Sequence, residues 1–149
     1  MEVHFREIDP FNCWMWICFA SNPTDGEKNY IDGIFDSWYV IGHLGGFNAS
    51  NLQAHQEGSE LNWFNYDNDE AKNTLPSLMH NVGQLEYQGK WARCWVDLGT
   101  ADEFSIDVLI NSLQQIDKDL VEIESFWVGG INDEWPVDEH PDSFLSINN

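Results

Sequence analysis

The sequence predicts an α+β domain of ferredoxin-like kind, a βαββαβ sandwich with a long insertion after the first helix and an acidic C-terminal tail. Three observations carry this. An apolar run, a Thr-x-x-Glu box and a helix-period stripe occur together twice, from Phe11 to Leu44 and from Trp91 to Ile116. The two stripes share one spacing, so two helices of matched width can cover one face of a single sheet. A hairpin pattern and a closing alternating strand supply the remaining elements.

Phe11 to Ala20 reads FNCWMWICFA, apolar on both alternating sides, which predicts a central strand. Pro23 ends it, and Thr24 with Glu27 forms a capping box that opens the first helix. Ile31, Ile34, Phe35, Trp38 and Ile41 make its apolar stripe, and Gly42 or Gly45-Gly46 supplies the left-handed stop. Residues 47–82 fit no template and read as a packed excursion, with one irregular strand near Leu52 to Gln56 and a short helix around Leu75 to His80. Gln84 to Gln88, a Gln88-Gly89 turn and Lys90 to Leu98 read as a hairpin.

Thr100 with Glu103 repeats the capping box, and Ile106, Leu109, Ile110, Leu113 and Ile116 repeat the stripe. The last strand, Leu120 to Val128, alternates Val121, Ile123 and Trp127 against Glu122 and Glu124 before Gly129-Gly130. The tail, residues 131–149, is acidic and is expected to be extended, docking through Trp135 and Phe144. All 149 residues read as one domain.

Six Lys and Arg against 26 Asp and Glu give a net charge of −20, with the excess greatest in the C-terminal third. Such a chain repels phosphate backbones and attracts basic surfaces, which excludes nucleic acid as the expected partner and favours a basic protein surface. Three cysteines without CxxC spacing argue against a disulfide framework or zinc site, and no apolar run is long enough to span a membrane. The reading is of a soluble, cytosolic protein.

The candidate binding residues come from strand parity. Trp14 and Trp16 share one side of the first strand, and Trp91, Arg93, Trp95 and Asp97 share one side of the second hairpin arm. If the two strands are neighbours, four indoles and a guanidinium meet on the face opposite the helices. That face is either a docking surface or is covered by residues 47–82 or the tail, which adds Trp135 as an anchor. No nucleophile elbow, P-loop or dinucleotide fingerprint is present, and His4, His43, His55, His80 and His140 are scattered, so no catalytic residue, metal or cofactor is assigned. Asn65, Asp67 and Asp69 alternate like calcium ligands but lack the glycine and terminal glutamate of such a loop.

The strings FNCWMWICFA, PTDGEKNYIDGIFDSWYVIGHLGGFNASNLQ, LPSLMHNVGQLEYQGKWARCWVDLGTAD and EWPVDEHPDS together resemble a family of small proteins of cyanobacteria and of plant and algal chloroplasts, catalogued as a domain of unknown function. The resemblance covers most of the chain. It implies a cytosolic or stromal setting and a link to oxygenic photosynthesis, and it carries over no catalytic residues.

The expected function is a non-catalytic assembly or regulatory factor that binds a basic protein surface through the Trp-rich face and the acidic C-terminal third. The rival is a small-molecule or enzymatic pocket between sheet and insertion, with His55, His80, Arg93 and Asp97 as its polar groups. A homodimer is open, and mutual repulsion of two acidic copies would make it stronger at high salt.

Overall fold

A computed structural model describes residues 1–47 and 78–130, together with Asn132 and Trp135. The elements, in chain order, are β1 (Glu2–Phe5), β2 (Cys13–Phe19), α1 (Asp25–His43), β3 (Asn81–Val82), β4 (Glu86–Gln88), β5 (Trp91–Asp97), α2 (Phe104–Ile116) and β6 (Ile123–Val128). Among the described residues they make an α+β fold with one mixed sheet and two helices. Strands run in the order β1-β6-β2-β5-β3, with β4 also paired to β5.

β2 is the central strand that its two-sided apolar pattern predicts, antiparallel to both β5 and β6. Cys13, Met15, Ile17 and Phe19 pack on one side with Ile31, Phe35 and Trp38 of α1 and Ile106, Leu109, Ile110 and Leu113 of α2, in one continuous core. Both helices therefore cover the same face. A hydrogen bond from the Trp38 indole to the Ser105 carbonyl, 2.7 Å, ties them to each other. Trp16 and Cys18 point the other way, into a second cluster with Trp91 and Trp127.

The first capping box forms in full: Thr24 Oγ1 accepts from the Glu27 N–H at 3.2 Å, and the Thr24 N–H donates to Glu27 Oε1 at 2.9 Å. The helix ends in a Schellman arrangement. Gly46 N–H bonds the Ile41 carbonyl, Gly45 N–H bonds the Gly42 carbonyl, and Gly45 takes the left-handed φ of 82°. Gly42 is thus inside the helix, on its buried stripe, where a Cβ would collide with the buried Met79 side chain.

Several sequence expectations need correction. The second capping box does not form: α2 starts at Phe104, Glu103 makes no side-chain cap bond, and Thr100 Oγ1 accepts from the Leu78 N–H instead. Asp102 takes over by accepting the Phe104 N–H at 3.2 Å. The expected hairpin arm at Gln84 to Gln88 shortens to Glu86–Gln88, and a separate fragment, Asn81–Val82, pairs with the far end of β5. Residues 78–80 are not helical; the Met79 N–H instead bonds the Gly42 carbonyl and the His80 N–H bonds the Asp97 carbonyl.

Residues 2–5 carry no expected strand, yet β1 lies parallel to β6, with Glu2 opposite Ser125 and Phe5 opposite Val128. Four residues with a single alternation are too short to register as a strand by pattern, and it is the partner β6 that orders them. The sheet is accordingly mixed rather than four-stranded and antiparallel. The expected strand near 52–56, the Asn65, Asp67 and Asp69 alternation, His55, His140 and Phe144 lie outside the described residues.

Candidate functional site

Register assembles the site. Across β2 and β5, Trp14 faces Trp95, Trp16 faces Arg93 and Cys18 faces Trp91; across β2 and β6, Trp16 faces Trp127 and Cys18 faces Ser125. Directly opposed residues of an antiparallel pair point to the same side, so these side chains form one row-and-column patch on the face away from the helices. The parity argument from sequence thus places Trp14, Trp16, Trp91, Arg93 and Trp95 together.

Trp127 joins them because of a bulge. Phe19 pairs with Ile123 while Cys18 pairs with Ser125, which leaves Glu124 as the extra residue of β6. The alternation therefore flips at Glu124: Ile123 packs in the helix-side core, whereas Trp127 belongs to the opposite cluster. The simple alternation assigned Trp127 to the side of Ile123 and is corrected here. The bulge also brings Glu124 Oε2 to 3.7 Å from the Cys18 thiol.

The patch is internally packed rather than a bare apolar surface. Trp16 is fully buried, and Trp91 and Trp127 are 6% and 7% exposed. Trp16 meets Trp91 and Trp135 edge to face, at centroid separations of 6.3 and 5.5 Å. The Arg93 guanidinium lies 5.7, 5.6 and 4.3 Å from the Trp14, Trp16 and Trp135 centroids, while its Nε donates to the Glu86 carboxylate and its Nη1 to Asn132 at 3.3 Å. Stacking of this kind at a partly exposed cation is worth about 0.5–1 kcal/mol per contact, comparable to a surface ion pair. Trp95 is only half buried, and its indole N–H bonds Asn12 Oδ1 at 2.7 Å.

Asp97 stands apart from this cluster. At the end of β5 it accepts the Gly99 N–H at 2.9 Å and lies 3.5 Å from the His80 ring. Two members of the alternative pocket, His80 and Asp97, are therefore neighbours, whereas Arg93 is committed to Glu86 and the indoles. His4, read as one of five scattered histidines, stacks on Trp127 at 4.1 Å. Nothing in the sequence signals that contact, because it depends on β1 joining the sheet.

Beside the indole cluster a groove of about 1060 Å³ lies on the face opposite α1 and α2, with Cys18, Trp91 and Trp127 among its lining residues and Glu2, Glu122 and Glu124 as exposed carboxylates. Lys118 and Arg6 also line it; Arg6 Nε donates to the Gly129 carbonyl at 2.9 Å. On the helix side, burial pushes the Cys13 thiol up to about 11 and the Cys94 thiol up to about 12, with Asp32 and Asp36 adding to the second shift. These two thiols are held neutral and are poor nucleophiles. Among the described residues no group of three or more His, Cys, Asp or Glu side chains is placed to hold a metal ion, and no helix is long and apolar enough to cross a membrane.

No curated protein and no solved structure matches the chain. A family model does, over residues 1–143. The chain belongs to the family described as "Protein of unknown function (DUF3531)".

Proposed function

We propose that this protein is a non-catalytic binding module, an assembly or regulatory factor that meets a basic protein surface through its open sheet face. The observation that carries the reading is the groove: a trough on the face opposite α1 and α2, with Trp91 and Trp127 at its floor and the carboxylates Glu2, Glu7, Glu122 and Glu124 outnumbering Arg6 and Lys118 in its lining. Lysine and arginine side chains suit such a lining, since their aliphatic stems lie along rings while their charged heads meet carboxylates. The net charge of −20 steers a basic partner toward it.

The ferredoxin-like reading of the fold belongs to the same proposal. It is supported by the antiparallel succession β6-β2-β5-β4, with β1 as an added edge strand. The cytosolic or stromal setting, the link to photosynthesis and the absence of nucleic-acid partners remain part of the proposal too, on the strength of the resemblance and the charge.

The test is calorimetric titration with a defined Arg/Lys-rich peptide at low and high salt. The double variant Glu122→Gln/Glu124→Gln should bind about tenfold more weakly, ~1.4 kcal/mol, and Asp107→Asn on α2 should bind like the native protein. Equal losses in both variants would reduce the interaction to bulk charge and remove the groove from the account.

A further inference from the structure

Trp135 reaches the open face from beyond β6, and what it meets there is built entirely by other elements. Arg93 comes from β5 and Trp16 from β2; Trp14, also of β2, lies against the same guanidinium, and Glu86 comes from β4 directly opposite Arg93. The guanidinium is thus held by Glu86 of the sheet and also by Asn132, three residues before Trp135. Trp135 sets its ring against a planar cation 4.3 Å from its centroid and against Trp16, whose ring stands at 80° to it.

The approach is equally specific. Gly129 and Gly130 follow β6 with φ of 93° and 84°, and a Cβ at either would run into the backbone of residues 6 and 7 or the Arg6 guanidinium. Two consecutive left-handed residues change the chain's direction sharply before Asn132 and Trp135 meet Arg93.

An indole is the side chain this setting fits best. Among aromatic rings it offers the strongest face to a cation, and an edge-to-face neighbour adds to it. Trp16 is fully buried, whereas Trp135 is partly exposed at the outer layer. We infer that Trp14, Trp16 and Arg93 form an indole-binding site that the chain fills with its own Trp135 as an exchangeable ligand. This rests on the proposed function only in taking the open face as a docking surface, of which Trp135 occupies one end.

The test uses the full chain and N-acetyl-tryptophanamide, an uncharged indole, as probe. Trp135→Ala should show a saturable rise in melting temperature, ~2–4 °C at about five times the probe's Kd. The native protein should show none, and adding Arg93→Met to Trp135→Ala should abolish the response. Trp135→Phe, which keeps a ring in place, should respond less than Trp135→Ala. An equal response in the native protein, no response in Trp135→Ala, or a response that survives Arg93→Met would overturn the inference. Failure of Trp135→Ala to fold while Trp135→Phe folds and ignores the probe would make Trp135 a fixed core residue and overturn it as well. Because the probe carries no charge, a face that ignores basic peptides leaves this result untouched, and the two readings fail separately.

Discussion

Replacing Trp16 with alanine should destabilise the protein as severely as truncating a residue of the helix-side core. Trp16 is fully buried although it lies on the face without helices. A tryptophan side chain buries 150–250 Å², which at about 25 cal/mol/Å² corresponds to roughly 4–6 kcal/mol. Two edge-to-face contacts add ~0.5–1.5 kcal/mol each. Compactness of the unfolded chain lowers the area term by roughly 10–40%, and inward relaxation of Trp91 and Trp135 recovers more. The net expectation is about 3–5 kcal/mol, the usual range for a buried aromatic truncated to alanine. In urea, with a slope of ~2 kcal/mol/M, the midpoint should fall by about 1.5–2.5 M. Trp95→Ala is the comparison: half buried and bonded to exposed Asn12, it should cost ~1–1.5 kcal/mol. A Trp16→Ala loss below about 1.5 kcal/mol, or one equal to that of Trp95→Ala, would refute the idea that this face has a packed core of its own.

The two Thr-x-x-Glu boxes should separate on mutation. Thr24→Ala should cost ~0.5–2 kcal/mol by chemical denaturation, while Thr100→Ala, whose hydroxyl meets only the exposed Leu78 N–H among its described bonds, should stay within about 0.5 kcal/mol of native. Alkaline pH should weaken the fold. Cys13 and Cys94 are raised from 9.0 to about 11 and about 12, so above pH 9 the unfolded chain releases protons that the folded chain retains. Their stabilising contribution is complete below that pH and is lost as pH climbs toward 12, and a melting temperature that stays flat across this window would contradict the assignment.

Much of the fold is legible in residue order because its signals are local. β2 declares itself by apolar residues on both sides, α1 by Thr24 and Glu27, and the shared face of Trp14, Trp16, Arg93 and Trp95 by parity alone. What escapes pattern reading depends on partners distant in sequence. Thr100 and Glu103 match the capping motif, yet the hydroxyl is taken by Leu78, and Asp102 supplies the bond that the helix needs. Glu124 looks like one more outward acid in an alternating strand, but the bulge makes it the residue at which β6 changes face, and Trp127 with it. His4 enters the site from a segment without periodicity, so its role arises only from where β1 is anchored, whereas Trp135 is the tail residue that the sequence already offers as an anchor. Arg93 is visible as a guanidinium among indoles, and Glu86 lies in the expected hairpin arm; that the two are directly opposed follows from the observed register.

The parallel pairing of β1 with β6 has a kinetic meaning. Its pairs, such as Glu2 with Ser125, join opposite ends of the described fold, and contacts of such separation incur the largest loop-closure entropy. During synthesis β1 emerges before β6 and lacks this partner until β6 has followed. The trough that β1 helps to wall is therefore incomplete until β6 is present, and a chain truncated before β6 would offer no finished place for a partner to land.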